Sequence, residues 1–381
     1  MRLWPSRRRP VVAAAPPADL AVTAELVRGA IEDVFAVRQQ GAGAAGVVFR
    51  GELRLPPARA VDTLQRRLRP FGFTPFLGAE GGGAVLRAVP IVERVEPTRA
   101  TVNVVLFVLT CASTLGAGAF FSGSPTFDAF RGSLAGTFLV AGIPFAATLL
   151  AILGVHEFGH YFTARHYRAS VSLPYFIPAP PPLFLFGTLG AIIRMRSPAR
   201  DRNSLFDIAA AGPLAGLLVA IPAMILGLQW SAVMPAQPGL WLFGDSLLRR
   251  LFVYLQFGTI PDGMVVFTHP MADAAWAGFF VTALNLFPVG QLDGGRIAFA
   301  LFGRHHRAVG VATVVATLFL GLVTMSANWF VWAALVVLLI GFRHSPPLDD
   351  VTPLTPGRRL VGLLCLVLFV LLVPPVPIDI G

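Results

Sequence analysis

The run Val155-His156-Glu157-Phe158-Gly159-His160 sets two imidazoles four residues apart, with a carboxylate next to the first. On an α-helix, positions i and i+4 share a face about 6 Å apart, so both rings can reach one Zn²⁺ while the glutamate faces a metal-bound water. Those residue types suit metal-assisted peptide hydrolysis: zinc brings the pKa of water toward neutrality, and the carboxylate takes its proton and passes it to the leaving amine. With 7 His and 20 Asp plus Glu in 381 residues, roughly 0.007 such matches arise by chance, so composition does not account for it. The plainer reading, two interfacial histidines with a snorkelling carboxylate, leaves a costly ionisable trio at the edge of an apolar span.

Two histidines leave a catalytic zinc one protein ligand short, the fourth position being kept for water. Asp293 is the candidate, in the run Asn285-Leu286-Phe287-Pro288-Val289-Gly290-Gln291-Leu292-Asp293-Gly294-Gly295. Its position at the end of an apolar span puts it at the membrane depth of His160. Aspartate before Gly-Gly is also ordinary turn or helix-end chemistry, and taken alone the residue supports either role.

Such a site needs elements that hold it in a bilayer, and the composition supplies them. The chain is 55% hydrophobic and 13% charged, with mean hydropathy +0.71, too apolar for an ordinary soluble protein. Net charge is +10, but the basic residues, all Arg, fall in short clusters between apolar spans rather than along one face, a pattern of membrane topology and not of nucleic-acid binding. Cys111 and Cys365 both lie in apolar stretches, so neither a disulfide framework nor a thiolate metal site is expected.

Apolar spans are expected near 101–121, 134–160, 205–229, 274–292, 308–325, 328–342 and 360–377, each measured against the roughly 20 helical residues that cross about 30 Å of hydrocarbon. The fold class is therefore a multi-span α-helical membrane protein of about 6–8 transmembrane helices. Basic loops stay on the cytoplasmic side, which places 165–202, 296–307 and 343–359 inside together with the N-terminal domain and the metal site, and the loop 122–131 outside. Arg249 and Arg250, in the outer segment 230–273, are the exception; an interfacial helix or an additional membrane element would explain them.

Three domains are expected: a disordered 1–17 lacking the apolar core of a signal peptide, a small soluble α+β domain over 18–96, and a polytopic membrane domain over 97–381. In the second, a helix is expected over 18–38, a strand over 47–55, a second helix opened by Pro56 and Pro57 with Val61, Leu64 and Leu68 on one face, and strands near 73–77 and 84–89.

HExGH in one span with NxxPxxxLDG in a later one resembles the site-2 protease family of intramembrane zinc metalloproteases, peptidase family M50. Phe186-Gly187-Thr188-Leu189-Gly190-Ala191 and Gly212-Pro213-Leu214-Ala215-Gly216 look like that family's loop and small-residue helix motifs. The form GQLDGGR with an N-terminal module looks most like the bacterial and chloroplast branch that includes the plant EGY-type proteins. The resemblance covers most of 45–310. It implies one Zn²⁺ per chain on His156, His160 and Asp293, Glu157 as general base, and a transmembrane protein as substrate, in the lipid bilayer of a bacterial inner membrane. It also implies Asn285 near the scissile peptide, with helix capping or interhelical hydrogen bonding as an equal alternative. Pro288 would break the fourth helix so that Asp293 approaches the metal, or merely kink it.

A helical substrate must unwind before it is cut. The strand-like stretch 187–195, with Gly187, Thr188 and Gly190, is expected near the zinc, where its edge could hold the substrate extended; a plain interfacial loop is the alternative. A non-proteolytic membrane chaperone and a transporter with a zinc site are the rival functions. The transporter would need inverted repeats or charges spread through the membrane depth, and the sequence shows neither. Substrate identity, the role of the N-terminal domain and oligomeric state do not follow from the sequence.

Overall fold

The computed structural model describes residues 20–43, 46–90, 100–121, 134–181, 184–236 and 241–380; segment 1–17 and the loop 122–131 lie outside them. Two compact units divide the chain: Met1–Pro97 with Arg196–Ser204 and Pro346–Pro353, and Thr98–Met195 with Leu205–Ser345 and Leu354–Gly381.

The first unit runs α1 (Leu20–Ile31), β1 (Phe35–Gly43), β2 (Gly46–Leu53), α2 (Pro57–Leu68), β3 (Phe73–Glu80) and β4 (Gly83–Pro90). α2 starts on Pro57, whose missing N–H costs nothing in a first turn, and buries Ala60, Val61, Leu64 and Leu68 along one face. These meet Val27, Ile31, Phe35, Phe49, Phe73 and Leu86 in a single core. The sheet is antiparallel in the order β1-β2-β4-β3. The helix expected over 18–38 ends at Ile31 and its remainder is strand β1. Val34 and Phe35 are fully buried, Phe35 pairs with Leu53, and Arg38 meets Glu52 across the ladder at 2.6 Å. Pairing with a neighbouring strand outweighs the weak helical preference of the Val- and Phe-containing stretch.

The edge of β3 is covered by chain from far downstream. Leu77 donates its N–H to the Leu348 carbonyl at 2.7 Å and accepts from Asp350 at 2.9 Å. Outside that, Leu348 and Asp349 donate to the carbonyls of Ala199 and Arg200, both at 2.9 Å. Covering an edge in this way removes a row of unpaired backbone groups.

In the second unit, α3 (Ala100–Phe121) is followed by α4 (Leu134–Thr137), which passes through a π-helical turn into α5 (Ile143–His166). The ribbon of β5 (Tyr175–Pro178) and β6 (Thr188–Ile192) precedes α6 (Arg202–Gln229). Then come β7 (Ala232–Pro235), β8 (Trp241–Phe243), α7 (Leu247–Phe257), β9 (Met264–Phe267), α8 (Pro270–Asn285), α9 (Asp293–Phe302), α10 (His306–Thr324), α11 (Ala327–Leu335), α12 (Pro356–Leu372) and β10 (Ile378–Ile380).

Among the described residues, four helical stretches are long and apolar enough to cross a membrane: Ala100–Phe120, Phe138–His166, Arg202–Gln229 and Asp293–Thr324. The chain is an integral membrane protein with an α+β unit at its N-terminal end. Among the described residues, the segment 230–273 forms the β7–β9 ribbon and the 11-residue α7, on which Arg249 is buried and paired with Asp245.

The span expected over 274–292 is corrected most. Helix α8 stops at Asn285, residues 286–292 turn, and Asp293 opens α9 rather than closing the span before it. The turn is compact because the Asp-Gly-Gly run lets α9 start beneath it. A Cβ on Gly294 would meet the Leu286 carbonyl, and one on Gly295 the carbonyls of Val289 and Gly290 at 2.5 Å. Pro288, buried in that turn, has no N–H with which to continue α8.

Candidate metal centre

Helix α5 is apolar on every side, so neighbours rather than polarity decide which face is buried. Its buried residues include Phe145, Leu149, Ile152, His156 and His160, a three-and-four stripe, while Val155, Phe158 and Phe162 are exposed. The approach of neighbouring helices to this stripe depends on glycine. A Cβ on Gly159 would lie 2.7 Å from the Ala211 carbonyl, and one on Gly278 of α8 would lie 2.9 Å from Ile152. Gly216 leaves room for His156, and Gly212 for His160. The Gly212-Pro213-Leu214-Ala215-Gly216 motif is thus the wall against which both imidazoles lie, as close packing of small residues permits.

The three expected donors converge. His160 Nε2 lies 3.1 Å from His156 Nε2 and 3.0 Å from Asp293 Oδ2; His156 Nε2 lies 3.5 Å from the same oxygen. Donors about 2.0–2.2 Å from one tetrahedral ion are separated by about 3.3–3.6 Å, and small shifts of the observed 3.0–3.5 Å set fit a single zinc-sized ion. Among the described residues it is the one cluster of three such side chains with this spacing. Both imidazoles are about 96–97% buried. His160 Nδ1 sits 2.6 Å from the Ile208 carbonyl of α6; donating there leaves Nε2 free as the ligand atom, the usual outer partner of a ligating histidine.

Glu157 is buried beside the cluster, and the Ile193 backbone N–H lies near enough to its carboxylate to act on it. Ile193 follows β6 directly, which brings the stretch expected near the site next to Glu157. Ordered pairing covers Thr188–Ile192, with a further bridge from Val171 to Met195. Helix α3 holds this ribbon: Asn103 donates to the Pro174 carbonyl at 2.7 Å and Ser113 to the Gly187 carbonyl at 2.5 Å. Gly187 has φ +71° with Ser113 backbone where a Cβ would be, so only glycine fits. The Thr188 hydroxyl donates to Ile177 at 2.8 Å and accepts from the Gly190 N–H at 3.0 Å, fixing the bend of β6.

The Asn285 amide reaches to 3.3 Å from His156 Nε2 and so faces the same point as the donors. Pro288 stays in the buried turn that connects Asn285 to Asp293. Sequence reasoning missed three neighbours: the Ile208 carbonyl, the Ile193 N–H and Arg296, whose guanidinium lies 3.7 Å from Asp293 Oδ1. Backbone groups carry no signal in residue type, but Arg296 stood in the quoted GQLDGGR run, three residues from Asp293 and hence on its helix face.

Residues 144–327 match the model of peptidase family M50. Over 371 residues the chain is 30% identical to the probable zinc metalloprotease EGY2, chloroplastic, of Oryza sativa subsp. indica, an alignment that covers 91% of this chain and 65% of that protein. With the Arabidopsis thaliana protein of the same name it shares 29% over 376 residues, 93% of this chain and 65% of the relative. With the Arabidopsis probable zinc metalloprotease EGY1, chloroplastic, it shares 34% over 247 residues, 63% and 44% respectively. The chain therefore spans a little under two thirds of the length of the EGY2 relatives and less than half of that of EGY1. No solved structure matches. These matches bear out the resemblance to the site-2 protease family and its EGY-like branch.

Proposed function

We propose that this chain is an intramembrane zinc endopeptidase that hydrolyses peptide bonds within or near the transmembrane segments of other membrane proteins. The observation that carries the reading is the convergence of His156, His160 and Asp293 Oδ2 on one buried point, with Glu157 beside it on an apolar helix. His156, His160 and Asp293 hold one Zn²⁺ per chain, and the names of the EGY-type relatives support that metal. Bound there, the ion would supply Lewis acidity to the scissile carbonyl and would make a water acidic near neutral pH.

The rest is done by this chain's own groups. Glu157 accepts the water's proton and returns it to the leaving nitrogen, with the Ile193 N–H beside its carboxylate. The Asn285 amide donates to the oxygen on which negative charge develops. The edge of β6, shaped by Gly187, Thr188 and Gly190, binds the unwound substrate as an added strand, and Pro288 shapes the turn that brings Asp293 to the site.

Six to eight helices cross the bilayer, with α8, α12 and the apolar helical stretch Ala327–Ile340 that α11 opens joining the long apolar stretches. The soluble part is built on 18–96 and the catalytic part on 97–381, apart from 196–204 and 346–353, which belong with the former. The Arg clusters at 165–202, 296–307 and 343–359 support a cytoplasmic N-terminal domain and metal site in a bacterial inner membrane, although the named relatives are chloroplastic. Substrates with helix-destabilising residues are preferred, because bond exposure requires unwinding.

The test is cleavage of single-span reporter proteins in liposomes by wild type and Glu157→Gln, with zinc measured in both. Wild type cutting within the span, and a zinc-loaded mutant that does not, supports the proposal. A wild type that binds no zinc ends it. Stoichiometric zinc without cleavage of any reporter shifts the weight to the chaperone reading.

A further inference from the structure

Asp293 presents its two carboxylate oxygens to different partners. Oδ2 faces both imidazoles, 3.0 Å from His160 and 3.5 Å from His156. Oδ1 faces the Arg296 guanidinium at 3.7 Å. Asp293 is the first residue of α9 and Arg296 the fourth, so three residues of helix put both side chains on one face. Gly294 and Gly295 between them carry no side chain to interfere. Both side chains are largely buried, at 12% and 22% exposure. A guanidinium this far removed from solvent is costly without a partner, and the Asp293 carboxylate is the partner the helix supplies.

We propose that Arg296 is a positioning residue that restricts Asp293 to one-oxygen donation. With Oδ1 turned toward the guanidinium, the carboxylate would offer a bound metal Oδ2 alone, and the position that a second oxygen would fill would stay open for water and substrate. A catalytic zinc site depends on such an open position, and outer partners of a ligating carboxylate set its orientation. The inference rests on the metal site proposed above.

The test uses full-length protein in detergent micelles loaded with Co²⁺, whose visible absorption is intense in four-coordinate and weak in five-coordinate sites. Wild type, Arg296→Gln and Arg296→Lys are compared at equal metal occupancy, each with its thermal melting curve. The expected result is an intense band in wild type, loss of that intensity in Arg296→Gln with unchanged melting, and recovery in Arg296→Lys. Zinc-loaded Arg296→Gln should cleave about tenfold or more slowly, with kcat falling and KM held. An Arg296→Gln spectrum equal to wild type overturns the proposal, as does an Arg296→Lys spectrum equal to that of Arg296→Gln where the latter has lost the band. Should Arg296→Gln fail to fold, Arg296→Lys alone decides: an intensity unlike wild type's in that folded variant overturns it. A wild type that takes up no Co²⁺ or Zn²⁺ refutes the metal site itself, a separate outcome.

Discussion

Gly212 of α6 lies so close to His160 of α5 that a Cβ there would run into the imidazole at Nε2, Cδ2 and Cε1. The ring is trapped between this glycine and Asp293, while Nδ1 is tied to the Ile208 carbonyl one turn earlier on α6. One helix therefore supplies both the hydrogen bond that turns the ring and the missing side chain that makes room for it.

Gly212→Ala is expected to displace His160 and lower metal retention. Overpacking a tight contact costs about 1–3 kcal/mol, and a shifted ligand lowers metal affinity about 10–100-fold. Metal analysis after dialysis against a weak chelator measures this. Gly154→Ala, on α5 but with open space where the Cβ would go, should keep its metal; equal loss from both variants would remove the steric explanation.

Asn285→Ala should separate chemistry from metal binding. The amide faces the donors without being one of the three, so zinc content should match wild type. Loss of an oxyanion donor lowers kcat about 10²–10³-fold with little change in KM. If zinc is lost along with activity, Asn285 supports the histidine and the oxyanion assignment is wrong.

His344 makes stability depend on pH. Burial, with the charges of Arg296 and His306 adding to it, pushes its imidazole down to about 3 from 6.5, and the ring stacks on Phe299 at 4.5 Å. Between those values the unfolded chain takes up a proton that the folded chain refuses, so this residue's contribution to stability falls as pH drops from about 7 toward about 4. His344→Phe preserves the stacking and removes the titration. Melting temperatures in micelles across that range should decline less steeply for the variant, and parallel curves would refute the assignment.

Asp349 fixes the turn of the downstream segment that covers the edge of β3. It is 1% exposed and accepts hydrogen bonds from the N–H groups of Val351 and Thr352 at 2.9 and 3.0 Å and from the Thr352 hydroxyl at 2.6 Å. Asp349→Ala strands those donors at a cost of about 1–3 kcal/mol. Hydrogen exchange on the full chain should show faster exchange at Leu77 and Asp350 amides; unchanged protection there would show that neighbouring pairs suffice.

Much of the protein's character was already local in the sequence. HExxH on a helix, the long apolar spans and the one-sided face of α2 are set by periodicity within a few turns, and period and hydropathy are properties of a segment by itself. The resemblance to a family rested on such runs and named the residues that the fold brings together at the centre. What only the tertiary structure decided depends on partners distant in sequence. β1 is a strand because β2 lies alongside it, and Asp293 opens a helix because a turn closed by Gly294 and Gly295 reverses the chain beneath α8. Gly212, the Ile208 carbonyl, the Ile193 N–H and the far oxygen of Asp293 acquire meaning only through what packs against them. Backbone groups are chemically the same at almost every residue, and a glycine matters here for the ring beside it, so neither leaves a mark in composition or period that could be read in advance.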